Sequence, residues 1–376
     1  MSSQVKNFAA STLFERVERA RRKRKQFSDT HITLAHGSGG KAMHDLIENV
    51  FVETLRNPLL EKLEDQAILT VDNNPGPANT TTRLAFTTDS FVVDPLFFPG
   101  GDIGSLAVNG TVNDLAMSGA RPLYLSASFI IEEGFRIDDL RRVVTSMRVA
   151  ADAAGVLVVT GDTKVVQRGG ADKLFVNTAG IGVVEKDTQI SAAAARAGDK
   201  IILSGLIGDH GVTVMVARGE LELESNIESD TAALNSLVQE MLSEAEACGA
   251  IEAVRCLRDP TRGGLATTLN EFAEASDVAI RIYEERIPVR EEVQGACEIL
   301  GLDPLYVANE GKLVAIVAAE IAEPMLQRMR KHPLGCDSCI IGEVEPEPRG
   351  IVSMVTGFGG TRIVDMLVGE QLPRIC

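Results

Sequence analysis

Four aspartates stand in contexts that suggest chemistry: Asp65 in "LEDQA", Asp89 in "TTDS", Asp114 in "VNDLA" and Asp259 in "RDPTRGG". Alone, each reads as a cap or turn residue. Together, beside glycine turns, they suit a hard cation such as magnesium, which prefers carboxylate and phosphate oxygens. The loop Gly37, Ser38, Gly39, Gly40, Lys41 in "AHGSGGKAM" is a second candidate. A Walker A loop wants glycine at position 35 and a hydroxyl residue at 42, and Ala35 and Ala42 break both ends. Its position before a helix is what raises it above an ordinary tight turn, because unpaired N–H groups there cradle phosphate. Lys164 in "GDTKVV", Glu310 in "ANEGK" and His210 in "GDHG" complete the acid–base candidates, each alone reading as a surface charge or turn cap. Cys376 closes the sequence in "PRIC". An exposed thiolate oxidises and exchanges disulfides, so a cysteine there is expected to be either accidental or functional.

These residues need elements whose ends meet. "HITLAH" reads as a short strand before the glycine loop, and Lys41 to about Leu55 as an amphipathic helix. "RLAFTTDS" is a strand delivering Asp89 at its end. The small residues of 104–119 predict a closely packed helix, with Asn109 and Asn113 four apart on one face and Asp114 next to them. "LYLSASFII", an amphipathic helix ending at Gly155, and "VLVVTGDTK", exiting into Asp162 and Lys164, make a strand–helix–strand unit and hence an α/β layer. "LFVNTAGIGVV" closes the first half, and "SAAAARAGDK" at 191–200 reads as the junction. The second half repeats the plan with "KIILSG", a helix near 211–218, a helix after "RDPTRGG" capped by Asp259 or Thr261, and "ANEGKLVAIVA" running from a polar turn into a strand. The fold class is α/β (α+β). The divisions are a basic arm at 1–30, domains at 31–190 and 191–350, and a flexible tail at 351–376. Fully extended, the last ~20 residues could reach ~65 Å.

Composition agrees. A chain of 376 residues has a prior of about two domains. The absence of tryptophan and 4% aromatics argue against base-stacking platforms, and a formal charge of −16 opposes nucleic-acid or anionic-membrane partners. No apolar run approaches the ~20 residues of a membrane span, which makes a cytoplasmic location the expectation. Six cysteines in so long a chain do not form a secreted disulfide framework. "ARRKRKQF" at 20–27 reads as a solvated arm, "DNNPGPANTTT" at 72–82 as a loop and 220–230 as an acidic stretch. "CDSC" at 336–339 has redox or metal spacing without a second pair to complete a tetrahedral site.

At this point several segments in order, "AHGSGGKAM", "TTDSFVVDPLFFPGGDIG", "GTVNDLAMSGA", "VTGDTKVV", "GDHG", "RDPTRGG", "ANEGKL", "HPLG" and "PRIC", resemble the HypE family of hydrogenase maturation proteins. That family lies in the superfamily of ATP-using enzymes related to aminoimidazole ribonucleotide synthetase. The resemblance covers about residues 31–376 and leaves out the basic arm and "CDSC". It implies two α/β domains, ATP with Mg2+, and a homodimer formed through the N-terminal domains. It implies that Cys376 takes a carbamoyl group from HypF, that the group is dehydrated with ATP to a thiocyanate, and that cyanide passes to iron on the HypC–HypD complex. In this reading Asp65, Asp89, Asp114 and Asp259 hold magnesium. The loop 37–41 with Asn109, Asn113, Asp162 and Thr163 serves the nucleotide, while Glu310, Lys164 and His210 act around the cysteine. A selenophosphate synthetase would carry its reactive cysteine before the glycine loop, and here the first cysteine is Cys248.

Overall fold

The computed structural model describes residues 29–72, 81–219, 226–369 and 374–376. The basic arm up to residue 28, residues 73–80 of the proline-rich loop and residues 220–225 of the acidic stretch lie outside the described residues. The expected strand in "HITLAH" is instead a bend followed by a 3-10 turn, Leu34–Gly37. The physical reason is local: the Thr33 N–H donates to His36 Nδ1 at 3.0 Å, so side-chain bonding closes a turn where a ladder would need a partner strand. Helix α1 (Lys41–Leu46) continues as a π-helical segment, Ile47–Val52, and a last turn, Glu53–Leu55.

The first layer contains β1 (Ala67–Asp72), β2 (Thr81–Phe91), the short pair β3 (Phe97–Phe98) and β4 (Gly101–Asp102), α2 (Ile103–Met117), β5 (Arg121–Glu132), α3 (Ile137–Ala154), β6 (Leu157–Val166) and β7 (Leu174–Val183). Its sheet runs β1-β2-β7-β5-β6, antiparallel except for β5 and β6, which α3 joins as a crossover. Thirteen of the fifteen α2 residues are buried, so this helix is sandwiched rather than amphipathic. Its glycines permit that: a Cβ on Gly104 would stand 2.3 Å from the Val143 carbonyl oxygen of α3.

The second layer contains β8 (Lys200–Leu203), α4 (Asp209–Arg218), α5 (Asn235–Ala247), β9 (Val254–Arg258), α6 (Gly264–Ala275), β10 (Ala279–Tyr283), α7 (Glu291–Leu300), β11 (Val314–Val317), α8 (Ala319–Met329), β12 (Cys339–Glu345), β13 (Ile351–Val355) and β14 (Thr361–Val364). The sheet order is β14-β13-β10-β12-β8-β11-β9. Two expectations change. The segment expected as tail from 351 supplies β13 and β14, because Val352, Met354 and Val364 bury themselves in the second core. Helix α6 is entered through Gly263 at φ +80° with no side-chain cap, which frees Asp259 from the capping role.

The two layers meet at α2. Asn113 donates to the carbonyls of Ala232 (3.1 Å) and Glu310 (3.3 Å) and accepts from the Leu234 N–H (2.8 Å), while Asn109 donates to Thr231 Oγ1 at 3.3 Å. The two asparagines, expected beside a nucleotide, stitch the second half of the chain to the first.

Candidate active site

A cavity of about 400 Å³ opens between the layers and collects Asp65, Asp89, Asp114 and Asp259 with Arg258 and Arg262. Asp65 lies just before β1, Asp89 near the end of β2, Asp114 on α2 and Asp259 directly after β9. Arg258 Nε lies 3.0 Å from Asp65 and its guanidinium also pairs with Glu271, which His44 Nε2 reaches at 2.9 Å. The Thr87 hydroxyl donates to Asp114 at 2.8 Å, and Arg262 stands 3.8 Å from Asp89.

Two arginines do not balance the buried negative charge. Burial, opposed by Arg258, pushes Asp65 up to about 6. Burial and then the neighbouring Asp65 push Asp259 up to about 8. Asp114 is driven well above the carboxylate range by burial and by Asp259, Asp65 and Asp89, and burial raises Asp89 against the pull of Arg262. In Glu271 the balance reverses, since Arg258 and His44 outweigh burial and lower it. Among the described residues no group of three His, Cys, Asp or Glu side chains is arranged to hold a metal ion as it stands. The donor set nonetheless fits a hard cation in kind: four carboxylates, Asp259 buried and the other three half-buried, whose mutual repulsion a bound cation would relieve.

The glycine loop closes one side of the cavity through Gly39, whose φ is +76° and where a Cβ would stand 2.5 Å from the Arg262 carbonyl oxygen. Lys41 faces elsewhere: its N–H donates to Leu367 O at 3.0 Å and its ammonium to Asp365 at 2.6 Å. Ser38 Oγ donates to Ala35 O (2.9 Å) and Gly369 O (3.2 Å). The loop is thus moored to the segment after β14.

Cys376 arrives from another direction. Ile375 and Cys376 are 3% and 9% exposed, and the ending lies against residues 92–94. The Val92 N–H donates to Cys376 O (3.1 Å) and the Asp94 N–H to Arg374 O (3.2 Å). Arg374 Nε donates to Val92 O at 3.1 Å while its guanidinium pairs with Asp172. Arg218 donates to both Asp94 O and Arg374 O at 2.9 Å. His210 Nε2 donates to Ile375 O at 2.9 Å, so its Nδ1 accepts from the Ser229 hydroxyl at 2.7 Å; burial lowers the His210 pKa and favours this neutral form. His210 therefore positions the ending.

Burial pushes the Cys376 thiol up to about 12 against the pull of Arg262, with Glu310, Asp89 and Asp259 also acting on it. Glu310 is 2% exposed, and its Oε1 has no hydrogen-bond partner among the described residues. Burial first, then Asp259, Asp89 and Asp230, hold its pKa well above the usual range. Cys376, Glu310 and the four aspartates therefore share one electrostatic environment. Lys164, Asp162 and Thr163 stand apart from it, exposed on the sheet-edge strand β6, where Lys164 Nζ pairs with Asp162 at 3.2 Å. The residues not anticipated are Arg258, Arg262, Arg218, Glu271 and His44. The first two flank the aspartate in "RDPTRGG", a signal available in the sequence.

The AIR synthase related protein N-terminal domain matches residues 63–184, and the corresponding C-terminal domain matches 196–355. The carbamoyl dehydratase HypE of Azotobacter vinelandii is 55% identical over 345 residues, spanning 92% of this chain and 97% of that protein. The chain belongs to the HypE family. A solved HypE–HypF complex contains a chain 48% identical with a TM-score of 0.78, covering 86% of this chain and 99% of that one. A HypE solved in complex with ATP is 49% identical at a TM-score of 0.74, covering 92% of this chain and all of its own. HypE members thus share both the sequence and the two-layer architecture with this chain.

Proposed function

We propose that this chain is an ATP-dependent carbamoyl dehydratase of [NiFe]-hydrogenase maturation, acting in the cytoplasm on an S-carbamoyl group carried by Cys376. The observation that carries the reading is the burial of Cys376 beside Arg262, unpartnered Glu310 and the aspartate cluster. Because the docked thiol is buried and the ending is bonded to residues 92–94, the carbamoyl group is accepted with the ending undocked, from a HypF partner such as the one solved with a HypE relative.

In the docked state the carboxamide oxygen attacks the γ-phosphorus of ATP and ADP leaves. The two N–H protons leave, one to Glu310 and one to the departing phosphate, as the C–O bond breaks and the nitrogen pair completes the C≡N bond. The S–C bond of the thiocyanate then breaks, with two electrons supplied by a HypC–HypD acceptor leaving a Cys376 thiolate and a cyanide ligand on its iron. A carboxylate with a raised pKa is a suitable base near neutral pH. Arg262 offsets negative charge developing at the sulfur end. Asp65, Asp89, Asp114 and Asp259 would hold Mg2+, whose contribution is to neutralise phosphate oxygens. Asn109 and Asn113 hold the frame of the nucleotide site, and the loop 37–41 borders it.

Lys164, Asp162 and Thr163 reach such a site in a homodimer. The exposed apolar residues Leu157, Val158, Val159 and Val165 on β6 suit burial against a second copy, which would bring these polar residues to the other subunit's cavity. The test is intact mass after incubation with a carbamoyl donor system and then ATP. A carbamoyl gain at Cys376 followed by loss of one water supports the reading; a carbamoyl group that survives ATP refutes it.

A further inference from the structure

A second cavity, of about 410 Å³, lies beside the turn carrying "CDSC", and its wall includes Cys336, Cys339, Arg286 and Arg330. The backbone between the thiols is anchored. The Ser338 N–H donates to Gly335 O at 3.0 Å, the buried Ser338 hydroxyl donates to Ser204 O at 3.2 Å, and Cys339 opens β12 opposite Leu203. The thiols differ. Cys336 is exposed, with Sγ 3.5 Å from Asp337 Oδ2, whereas Cys339 is half-buried, donates to Arg286 O at 3.3 Å and is pushed up to about 11 by burial. Arg330 Nε donates to Ser338 O at 2.9 Å, and the Arg286 guanidinium lies 4.2 Å over the Tyr283 ring, so the cation of each is fixed in the wall. The cavity therefore joins one reachable thiol and one shielded thiol, with Arg286 and Arg330 offset by Glu285 and Asp337. This is the arrangement of an attacking and a resolving cysteine beside a surface for a reagent bearing both charges.

We propose that Cys336 and Cys339 are a redox-active dithiol, converted to an intramolecular disulfide by a small disulfide of the oxidised-glutathione class, which carries both carboxylates and ammonium groups. Cys336 loses its proton and attacks one sulfur of the reagent, breaking the reagent's S–S bond and expelling one thiolate. Cys339 turns from the Arg286 carbonyl, gives up its proton and attacks Cys336 Sγ, expelling the second thiolate. The two protein thiols lose two electrons and two protons, and the reagent gains both as two free thiols. The site is separate from the acidic cavity and does not depend on the dehydratase reading.

The experiment treats the full chain with oxidised glutathione, traps remaining thiols by alkylation and maps the peptides. The expected wild-type result is loss of both alkylatable thiols at 336 and 339, with a mass decrease of two hydrogens that dithiothreitol reverses. Exposed, solitary Cys248 should carry only a glutathione adduct. Cys339→Ser should stop at a stable adduct on Cys336, and Cys336→Ser should slow modification of Cys339 by about tenfold or more, since shielded, protonated thiols react slowly. A stable adduct on Cys336 in the wild type would overturn the proposal. So would persistence of both thiols while Cys248 is fully modified.

Discussion

Arg374→Ala tests whether the docked ending is held by its own side chain. The substitution leaves the main-chain bonds of residue 374 and removes the Nε bond to Val92 O together with the ion pair to Asp172. Arg374 is about one-third exposed and Asp172 nearly half, so the ion pair is discounted to below about 1 kcal/mol. The charged hydrogen bond to a backbone carbonyl adds about 1.5 kcal/mol. A total of about 2 kcal/mol corresponds to about thirtyfold in the docking equilibrium. The assay is the alkylation rate of Cys376, mapped by peptide and normalised to Cys248, at a pH where docking equilibrates faster than alkylation. An increase of about thirtyfold is expected, and Arg374→Lys should recover part of the protection. Unchanged alkylation of Cys376 would mean that the bonds to residues 92–94 do not govern its access.

Glu310→Gln should still accept the carbamoyl group and bind ATP but dehydrate about 10²–10⁴-fold more slowly, as single-turnover thiocyanate formation would report. Without divalent ion, ionisation of Asp259 alone should cost the fold about 2 kcal/mol between about pH 6 and 8, read from urea midpoints in EDTA as the difference between wild type and Asp259→Asn. The sign follows because folded Asp259, at about 8, keeps a proton that the unfolded chain releases near 4, so the stabilising contribution is lost as pH rises through about 8. Asp259→Asn should flatten that slope, and an equal slope in both proteins would refute the assignment. Mixing Lys164→Ala with Cys376→Ala, each inactive alone, should restore about a quarter of wild-type dehydration if Lys164 serves the neighbouring subunit's site in a randomly reassorted dimer; no recovery after verified subunit exchange counts against it.

Elements that carry their own periodicity were legible. The small-residue helix is α2, and the strand–helix–strand unit is β5, α3 and β6. Elements decided by partners distant in sequence were not. "HITLAH" has strand composition, yet Thr33 and His36 close on each other. "GIVSMV" is apolar but for Gly350 and Ser353, and its place within the second sheet depends on β10, some seventy residues earlier. The aspartates were identifiable as a set from their loop or helix positions near glycine turns, whereas nothing in the sequence beyond their nearness to Asp259 marked Arg258 and Arg262 as their countercharges. His210 was singled out for acid–base work, and only its bond to Ile375 O assigns it to holding the ending. Lys41 looked poised for phosphate until Asp365, 324 residues away, appeared as its partner.

The stitching of both halves to α2 through Asn109 and Asn113 leaves little scope for the layers to part like jaws. Access must then be regulated by something smaller, and the ending, Ile375 with Cys376, is a small unit seated against residues 92–94. If Cys376 is the carrier proposed above, loading is coupled to leakage: while the cysteine is away collecting its cargo, a nucleotide bound in the cavity has no carboxamide to meet and only solvent as acceptor. The efficiency with which ATP is used would then depend on the fraction of each cycle the ending spends away, making the partner that loads it a determinant of wasted turnover as well as of supply.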